Sequence, residues 1–487
     1  MTTLSGKVFK KGKRGKYMKK NTRYIVTLTL IAALGGLLFG YDTAVISGAE
    51  QSLQVYFMES LGLGTFAHGL TVSSALIGCI VGGLISGFLS NRIGRKNSLL
   101  VAAVLFFVSA LLSAYPEFLF FTKDNQTMGL FIMFNFYRII GGIGVGLASG
   151  LGPLYISETS PANIRGKLVT LNNLAIIFGM SFVYFVNWRI AAGQELSWIH
   201  DVGWRYMFAS EAIPALLFFG LLFLVPETPR YLISKNKDQE ALTILEKVNN
   251  SKEKANAIYQ EIKQTVDVKN VRVFSYGKLV VIVGILLAAF QQFVGINVIL
   301  YYAPRIFAEM GASSDGSMFQ TVIIGIVNFI FVLIAMLLVD RVGRRLLMIV
   351  GSVGMAVGMF GVAALAYLDQ MGIGALIFIL IFVAFYNLSF GPLMWVLASE
   401  LFPNKVRGQI MAITVVANWG SNLLISSTFP SLLEFGAGFA YTFYGIMCVL
   451  ALLFVLKLVP ETKGKTLEEI EKYWEDKQAN SQQNKAV

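Results

Sequence analysis

Charged residues are scarce in this chain: they make up 14% of its 487 residues, whereas 55% are hydrophobic. A soluble domain carries roughly 25% charged residues, so this chain cannot cover itself with a polar surface in water. The scarcity excludes a soluble enzyme, a disordered protein and a fibrous protein. A mean hydropathy of +0.65 indicates that lipid surrounds most of the chain.

Cysteine and histidine are almost absent as well, with two residues of each. Cys79 and Cys448 lie inside apolar runs and build neither a disulfide framework nor a metal site, so we expect no metal. His68 and His200 fall near the ends of apolar runs, which argues against a histidine proton relay within the membrane. The chain has no phosphate-binding P-loop pattern, which argues against transport driven by ATP.

Twelve long apolar runs are present instead, each about as long as a helix needs to cross a hydrocarbon core of ~30 Å. Because lipid offers backbone groups no partner, each run is predicted to be a helix. The predicted spans are 24–48, 69–90, 97–115, 127–152, 168–192, 204–225, 276–302, 316–339, 346–368, 372–400, 406–432 and 438–459. The predicted fold class is an all-α membrane protein.

A polar stretch between the sixth and seventh runs divides the chain into two six-helix halves. Its residues Leu242, Leu245 and Val248 have the spacing of a short amphipathic helix. The predicted domains are a basic N-terminal tail (1–23), a first half (24–225), a helical linker (226–275), a second half (276–459) and a C-terminal tail (460–487).

Basic residues are concentrated in alternate loops. Residues 1–23 contain nine Lys or Arg and no acidic residue, while the intervening loops contain few basic residues, among them Lys123 and Arg305. The positive-inside rule therefore predicts that both termini and the linker are cytoplasmic. The basic tail could also be a nucleic-acid-binding arm, but beside a first transmembrane helix we interpret it as an orientation and anionic-lipid signal. We expect no nucleic-acid partner.

Short motifs recur in the same order in both halves. Glu158-Thr-Ser-Pro-Ala-Asn-Ile-Arg-Gly166 reappears as Glu400-Leu-Phe-Pro-Asn-Lys-Val-Arg-Gly408, Asn91-Arg-Ile-Gly-Arg95 as Asp340-Arg-Val-Gly-Arg344, and Pro226-Glu-Thr as Pro460-Glu-Thr, at separations of 242, 249 and 234 residues. Duplicated six-helix halves of the same orientation are typical of alternating-access transporters.

These motifs resemble the sugar porter family of the major facilitator superfamily. Two further segments carry the resemblance, Gln291-Gln-Phe-Val-Gly-Ile-Asn297 and Gly35-Gly-Leu-Leu-Phe-Gly-Tyr-Asp42, and the likeness runs from about Thr22 to Trp474. It is strongest toward the proton-coupled D-xylose carriers of bacteria. The resemblance implies the major facilitator fold and D-xylose:proton symport by alternating access. It also implies a monomer in the bacterial plasma (inner) membrane, with no catalytic residue and no cofactor beyond the proton gradient.

Other functions stay open within and outside this class. A symporter or facilitator for a hexose such as glucose or galactose, or for arabinose, is the alternative within the class. A transporter-like sugar sensor would need a long cytoplasmic signalling tail, yet only about 27 residues follow Pro460. A channel is disfavoured by polar residues at the centre of the predicted membrane domain, because they favour binding over free passage.

Two opposite charges fall inside predicted spans. Asp42 and Arg138 both lie in the outer halves of their spans, and an unpaired charge in hydrocarbon costs at least ~2.5–3.5 kcal/mol, so we expect them to pair. One interpretation is a static ion pair. The resemblance implies a proton switch instead, because proton-coupled relatives carry a carboxylate at the position of Asp42. Glu211, a second carboxylate in the sixth span, is expected to tune the pair.

Side-chain amides in the seventh span predict a sugar site. Gln291, Gln292 and Asn297 can each donate to and accept from sugar hydroxyls. On an ideal helix Gln291 and Asn297 would point about 240° apart, so we predict a break near Gly295. A second break is predicted at Gly391-Pro392 in the tenth span.

The family resemblance extends the sugar site to further positions. Trp395 is expected to pack against the apolar face of a pyranose. The positions that match the family's site are Phe39, Gln291, Gln292, Asn297, Tyr301, Asn328, Gly391, Trp395 and Trp419. Asn173 and Asn418 stand where the xylose carriers have Gln, and Phe390 replaces a Trp. We include both asparagines in the predicted site.

Charged residues at the cytoplasmic helix ends predict an ion-pair gate. The residues concerned are Arg92, Arg95, Glu158, Arg165, Glu227, Arg344, Glu400, Arg407 and Glu461. Anchoring by positive charge would explain the arginines but not the acids. The resemblance implies ion pairs that form when the cavity opens outward and break when it opens inward. Beyond the last span, Thr466-Leu-Glu-Glu469 is expected to cap a short cytoplasmic helix.

Overall fold

The computed structural model describes residues 5–118, 120–122, 125–265, 277–403, 406–465 and 469–477, with side chains from residue 23 onward. Twelve helices in this part of the chain are long and apolar enough to cross a membrane. They are Arg23–Glu59, Thr65–Ile93, Arg95–Ala114, Met128–Glu158, Arg165–Ala191, Leu196–Leu222, Lys278–Tyr301, Ser314–Val342, Arg344–Tyr367, Ile373–Leu401, Arg407–Leu433 and Ala437–Leu458. Lys123 and the start of the predicted capping box, Thr466, lie outside the described residues.

The twelve predicted spans are confirmed, and the largest difference is at the first. Its helix begins at Ser5, continues to Leu53 and passes into a wide π-helical turn over Gln54–Glu59. The apolar run ends near Glu50, but that side chain is wholly buried against other helices. The helix can therefore continue past the point where hydropathy falls, because protein rather than lipid surrounds the polar residues.

The predicted break in the seventh span is present. Helix Lys278–Phe293 ends, Gly295 adopts a left-handed conformation with φ +94°, and a short helix Ile296–Tyr301 follows. A Cβ on Gly295 would lie 2.7 Å from the ring of Tyr444, so both the backbone conformation and the space require glycine.

The tenth span breaks two residues earlier than predicted. Helix Ile373–Leu388 ends at Ser389, and a new helix Phe390–Leu401 follows. Pro392 lies in the first turn of the new helix, where a missing backbone N–H leaves no helical hydrogen bond unmade. The proline therefore marks the beginning of the second helix and not the break itself.

The two halves meet along tightly packed helices. The second span passes so close to the eleventh that a Cβ on Gly69 would collide with the backbone carbonyl of Ser427. The fifth span packs in the same way against the eighth. We call the side of the membrane that carries the linker helices the linker side and the opposite side the far side. Gly69 and Ser427 lie toward the far side.

Three short helices form the described part of the linker. They are Pro229–Ser234, Asp238–Asn249 and Lys252–Thr265, and they share a small apolar core that includes Ile244, Leu245 and Val248. The predicted amphipathic spacing is thus used to pack the linker helices together. At the C-terminal end of the described chain, Trp474 is buried in the second half and its indole N–H donates a 2.8 Å hydrogen bond to the Leu401 carbonyl.

Candidate functional site

The central feature of the second half is a cluster of four side-chain amides. Asn418 donates a 2.6 Å hydrogen bond to Gln291, and Asn297 donates a 2.6 Å hydrogen bond to Gln292. The amide nitrogen of Gln292 donates to Gln291 at 3.4 Å and to Asn418 at 3.3 Å. The break at Gly295 brings Asn297 onto the same face as Gln292. We call these four residues the amide cluster.

The amide cluster joins the two helix breaks. The side chain of Gln291 donates 3.1 Å hydrogen bonds to the carbonyls of Phe390 and Gly391, at the beginning of the second helix of the tenth span. A carbonyl oxygen has two lone pairs, so it can accept this side-chain bond in addition to a helical one. Gln291 therefore couples the position of the tenth span to that of the cluster.

Aromatic rings close the centre between the two halves. Phe39 of the first span and Trp419 of the eleventh lie with ring centroids 5.5 Å apart. Tyr301 accepts a 3.2 Å hydrogen bond from Asn422, one helical turn beyond Asn418. Trp395 is half-buried, which leaves part of its ring open to the central space.

Asn328 and Asn173, two further residues of the predicted sugar site, differ in burial. Asn328 is buried in the eighth span, whereas Asn173 is exposed on the fifth and lies outside the amide cluster. Asn422 is not among the site residues predicted from the sequence. Its i+4 spacing from Asn418 on one helix is the signal that would have indicated a shared face. Its side-chain oxygen also accepts a 3.0 Å hydrogen bond from Ser426.

The two predicted membrane charges form an ion pair. Arg138 donates a 2.7 Å hydrogen bond to a carboxylate oxygen of Asp42 and a 3.1 Å hydrogen bond to the Asp42 carbonyl. Both side chains are buried, and the guanidinium also lies 5.1 Å from the centre of the Phe208 ring. Glu211 is fully buried and lies close to both charges.

Two arginines of the predicted gate pair within their own halves. Arg95 bonds Glu158 at 3.0 Å in the first half, and Arg344 bonds Glu400 at 2.9 Å in the second. The repeated motifs therefore form the same kind of ion pair at equivalent positions of the two halves. Because each pair stays within one half, neither holds the halves together.

The acids of the two Pro-Glu-Thr motifs bind backbone instead of arginine side chains. Glu227 accepts from the backbone N–H groups of Arg95 and Lys96, at the beginning of the third span. Burial raises the pKa of Glu227 above its ordinary value, although these bonds and one from Thr228 oppose the shift.

Glu461 repeats this arrangement at the beginning of the ninth span. It accepts from the backbone N–H groups of Arg344 and Arg345. Burial raises the pKa of Glu461, but hydrogen bonds from four backbone N–H groups outweigh burial and lower it overall. We call Glu227 and Glu461 the backbone clamps.

The other three predicted gate arginines are in different surroundings. Arg165 is exposed, Arg92 lies 5.9 Å from the centre of the Phe88 ring, and Arg407 donates to the Phe402 carbonyl at 3.2 Å. These contacts, too, stay within one half.

Polar contacts between the halves lie toward the far side. Trp188 donates to Asp315 at 3.0 Å, and Tyr184 donates to the Leu300 carbonyl at 3.0 Å. Thr65, at the far-side end of the second span, donates to Glu434 at 2.9 Å. The far side of the molecule is therefore closed.

Comparisons with known proteins agree with this architecture. The family model described as "Sugar (and other) transporter" matches residues 28–474. The chain belongs to this sugar transporter family. Among its members, the D-xylose-proton symporter of Escherichia coli (strain K12) is 50% identical, with 95% of this chain and 98% of that protein covered. The arabinose-proton symporter of Bacillus subtilis (strain 168) is 40% identical, with 93% and 95% covered.

A solved structure of the sugar transporter family matches the fold. The inward open conformation of the E. coli xylose transporter superimposes with a TM-score of 0.84 at 49% identity, covering 93% of this chain and all of that one. The predicted major facilitator fold is thereby confirmed. Within the described residues, no group of three or more His, Cys, Asp or Glu side chains is arranged to hold a metal ion.

Proposed function

We propose that this protein is a D-xylose:proton symporter that works by alternating access, and that it catalyses no covalent chemistry and needs no cofactor. The observation that carries the proposal is the buried Asp42–Arg138 ion pair beside Glu211, in a chain 50% identical to a D-xylose-proton symporter. Passive transport of a neutral sugar does not require a buried charge pair, which is expensive to keep in a membrane.

Sugar binding, in this proposal, exchanges one set of hydrogen bonds for another. The amides of Gln291, Gln292, Asn297 and Asn418 hydrogen-bond one another, so few of their polar groups are left unpaired. The hydroxyls of a pyranose replace these bonds. Trp395 and Trp419 supply flat apolar surfaces for the sugar ring.

Proton coupling, in this proposal, depends on whether Arg138 pairs with Asp42 or with Glu211. While Asp42 is ionised, its carboxylate attracts the guanidinium and accepts one hydrogen bond from it. Protonation of Asp42 removes that attraction, and Arg138 turns toward the carboxylate of Glu211. The first span, which carries both Asp42 and Phe39 of the sugar site, transmits the change to the centre.

We propose that the linker side is cytoplasmic and that the protein is a monomer of the bacterial inner membrane. The nine basic residues of positions 1–23 support the orientation through the positive-inside rule. The predicted division into tails, halves and linker belongs to the same proposal. The gate residues Arg92, Glu158, Arg165, Arg344, Glu400 and Arg407 would then pair across the halves only when the linker side closes.

Transport into proteoliposomes tests the proposal. Labelled D-xylose, L-arabinose, D-glucose and D-galactose are offered singly, with and without an inwardly directed proton gradient. We expect xylose to accumulate above equilibrium only with the gradient, and a proton ionophore to abolish the accumulation. Equilibration of xylose without accumulation would make the protein a facilitator.

A second candidate is a proton symporter for another sugar, arabinose or a hexose. The observation that favours it is the shorter amide at positions 173 and 418, because Asn leaves one methylene more space than Gln. Accumulation of another sugar but not of xylose, in the same panel, would identify this alternative.

A further inference from the structure

A charged cluster outside the predicted site joins the two halves at the far side. Glu50 lies near the far-side end of the first span and is wholly buried. His68 of the second span contacts it, with 3.3 Å between the imidazole Nε2 and a carboxylate oxygen. Arg305 of the second half lies 3.9 Å from the same oxygen and donates a 2.9 Å hydrogen bond to Gln54. The buried carboxylate is therefore contacted by an imidazole from its own half and by a guanidinium from the other half.

Arg305 and His68 play different parts in this cluster. His68 belongs to the same half as Glu50 and also contacts its backbone carbonyl at 3.1 Å, so it stays with Glu50 when the halves separate. Arg305 follows the broken seventh span and belongs to the other half. Opening of the far side must therefore break the Arg305 contacts while it leaves those of His68 intact.

We propose that Glu50 and Arg305 form a charge latch that holds the far side closed, with His68 as the residue that positions Glu50. This inference rests on the proposed alternating access but not on the identity of the sugar. Opening the far side exposes Glu50 to water, which solvates its charge. The latch is therefore reversible, because water replaces the lost contact in the open state.

The surroundings of the latch support a role in closure. Tyr302, next to the segment that carries Arg305, lies edge-on against His68 with ring centroids 6.3 Å apart, so a second contact spans the halves at this level. Arg305 also bonds Glu309 at 3.2 Å within its own short helix. The Glu50 side chain is wholly buried and that of Arg305 is only 20% exposed, so water has little access to this pair.

Thiol labelling measures the opening of the far side directly. Both native cysteines, Cys79 and Cys448, are replaced by alanine, and Ser427→Cys is introduced at the buried contact between the second and eleventh spans. A membrane-impermeant maleimide is added to the far side in right-side-out vesicles. Its rate of reaction reports how often that contact opens.

Glu50→Gln and Arg305→Gln should each raise the labelling rate severalfold, because each removes one partner of a buried ion pair that spans the halves. The double variant should label no faster than the faster single variant, because both remove the same interaction. Glu117→Gln is the matched control, because Glu117 is also buried and bonds Arg205 at 2.9 Å entirely within the first half. Its labelling rate should equal that of the parent.

Unchanged labelling in Arg305→Gln would overturn the latch, and so would additive effects in the double variant. If Glu50→Gln does not yield monodisperse protein, Arg305→Gln decides alone, because Arg305 is partly exposed. Labelling does not depend on which sugar is carried. A protein that fails to accumulate xylose can still show the latch, so this result and the failure of the proposed function are distinguishable.

Discussion

Arg138 donates hydrogen bonds to both the side chain and the backbone carbonyl of Asp42, at 2.7 and 3.1 Å. The carbonyl bond does not depend on the charge of the carboxylate. In the proposed coupling step, Arg138 therefore keeps one contact with the first span when Asp42 loses its charge.

Asp42→Asn should abolish accumulation of sugar against a gradient. Asn preserves the volume of Asp and accepts a hydrogen bond from Arg138 but cannot exchange a proton. Binding should persist because Asp42 does not belong to the amide cluster. Accumulation and sugar counterflow are measured in the same vesicles, and the variant should retain counterflow. Accumulation at the parental level would exclude Asp42 as the coupling residue.

Gln291→Ala should weaken sugar binding roughly ten- to a hundredfold. The loss of one buried partner costs ~1–3 kcal/mol, and this substitution also frees the carbonyls of Phe390 and Gly391. Calorimetric titration of the purified variant gives the dissociation constant. Gln320→Ala, which removes a half-buried glutamine of the eighth span outside the cluster, should bind like the parent. An unchanged dissociation constant in Gln291→Ala would remove it from the site.

Asn418→Gln combined with Asn173→Gln should sharpen the preference for the pentose. Glucose is xylose with an added hydroxymethyl group, so its exclusion depends on space. Competition by glucose against labelled xylose should weaken by about tenfold, the effect of one methylene in a tight pocket. Because only Asn418 lies in the amide cluster, we expect Asn418→Gln alone to give most of the change. Equal effects of the two single variants would contradict this division.

The two backbone clamps should differ in their dependence on pH. The lowered pKa of Glu461 means that its ionised form stabilises the fold above its ordinary value of 4.5, and this stabilisation is lost as pH falls through the folded-state pKa. The raised pKa of Glu227 has the opposite effect on stability. The folded state favours the protonated carboxyl, so the fold gains stability as pH falls through the folded-state pKa of Glu227.

Thermal unfolding of Glu461→Gln and Glu227→Gln in detergent tests this contrast. Relative to the parent, Glu461→Gln should lower the midpoint at pH 7 by roughly 1–3 °C, and the difference should shrink toward pH 4. For Glu227→Gln the difference should instead grow on acidification. Parallel pH profiles for the two variants would show that the clamps are equivalent.

The membrane-spanning helices were predictable because, in lipid, an apolar run long enough to cross the bilayer must form a helix. The break at Gly295 followed from the conflicting directions of Gln291 and Asn297, and the ion pair of Asp42 followed from the expense of an isolated charge. The positions of Glu50 and His68 were not predictable, because they lie beyond the apolar runs and owe their burial to the packing of neighbouring helices. Nor could sequence show that Glu227 binds backbone, since an acid near arginines normally indicates side-chain pairing.

The buried Trp474 has a practical consequence for handling the protein. Its indole N–H satisfies the carbonyl of Leu401, directly after the Glu400 that binds Arg344. A truncation before Trp474 would leave that carbonyl unpaired and open a void at the end of the tenth span. Affinity tags and fluorescent fusions at this end should therefore leave Trp474 in place, and shortened variants for crystallisation should keep the indole.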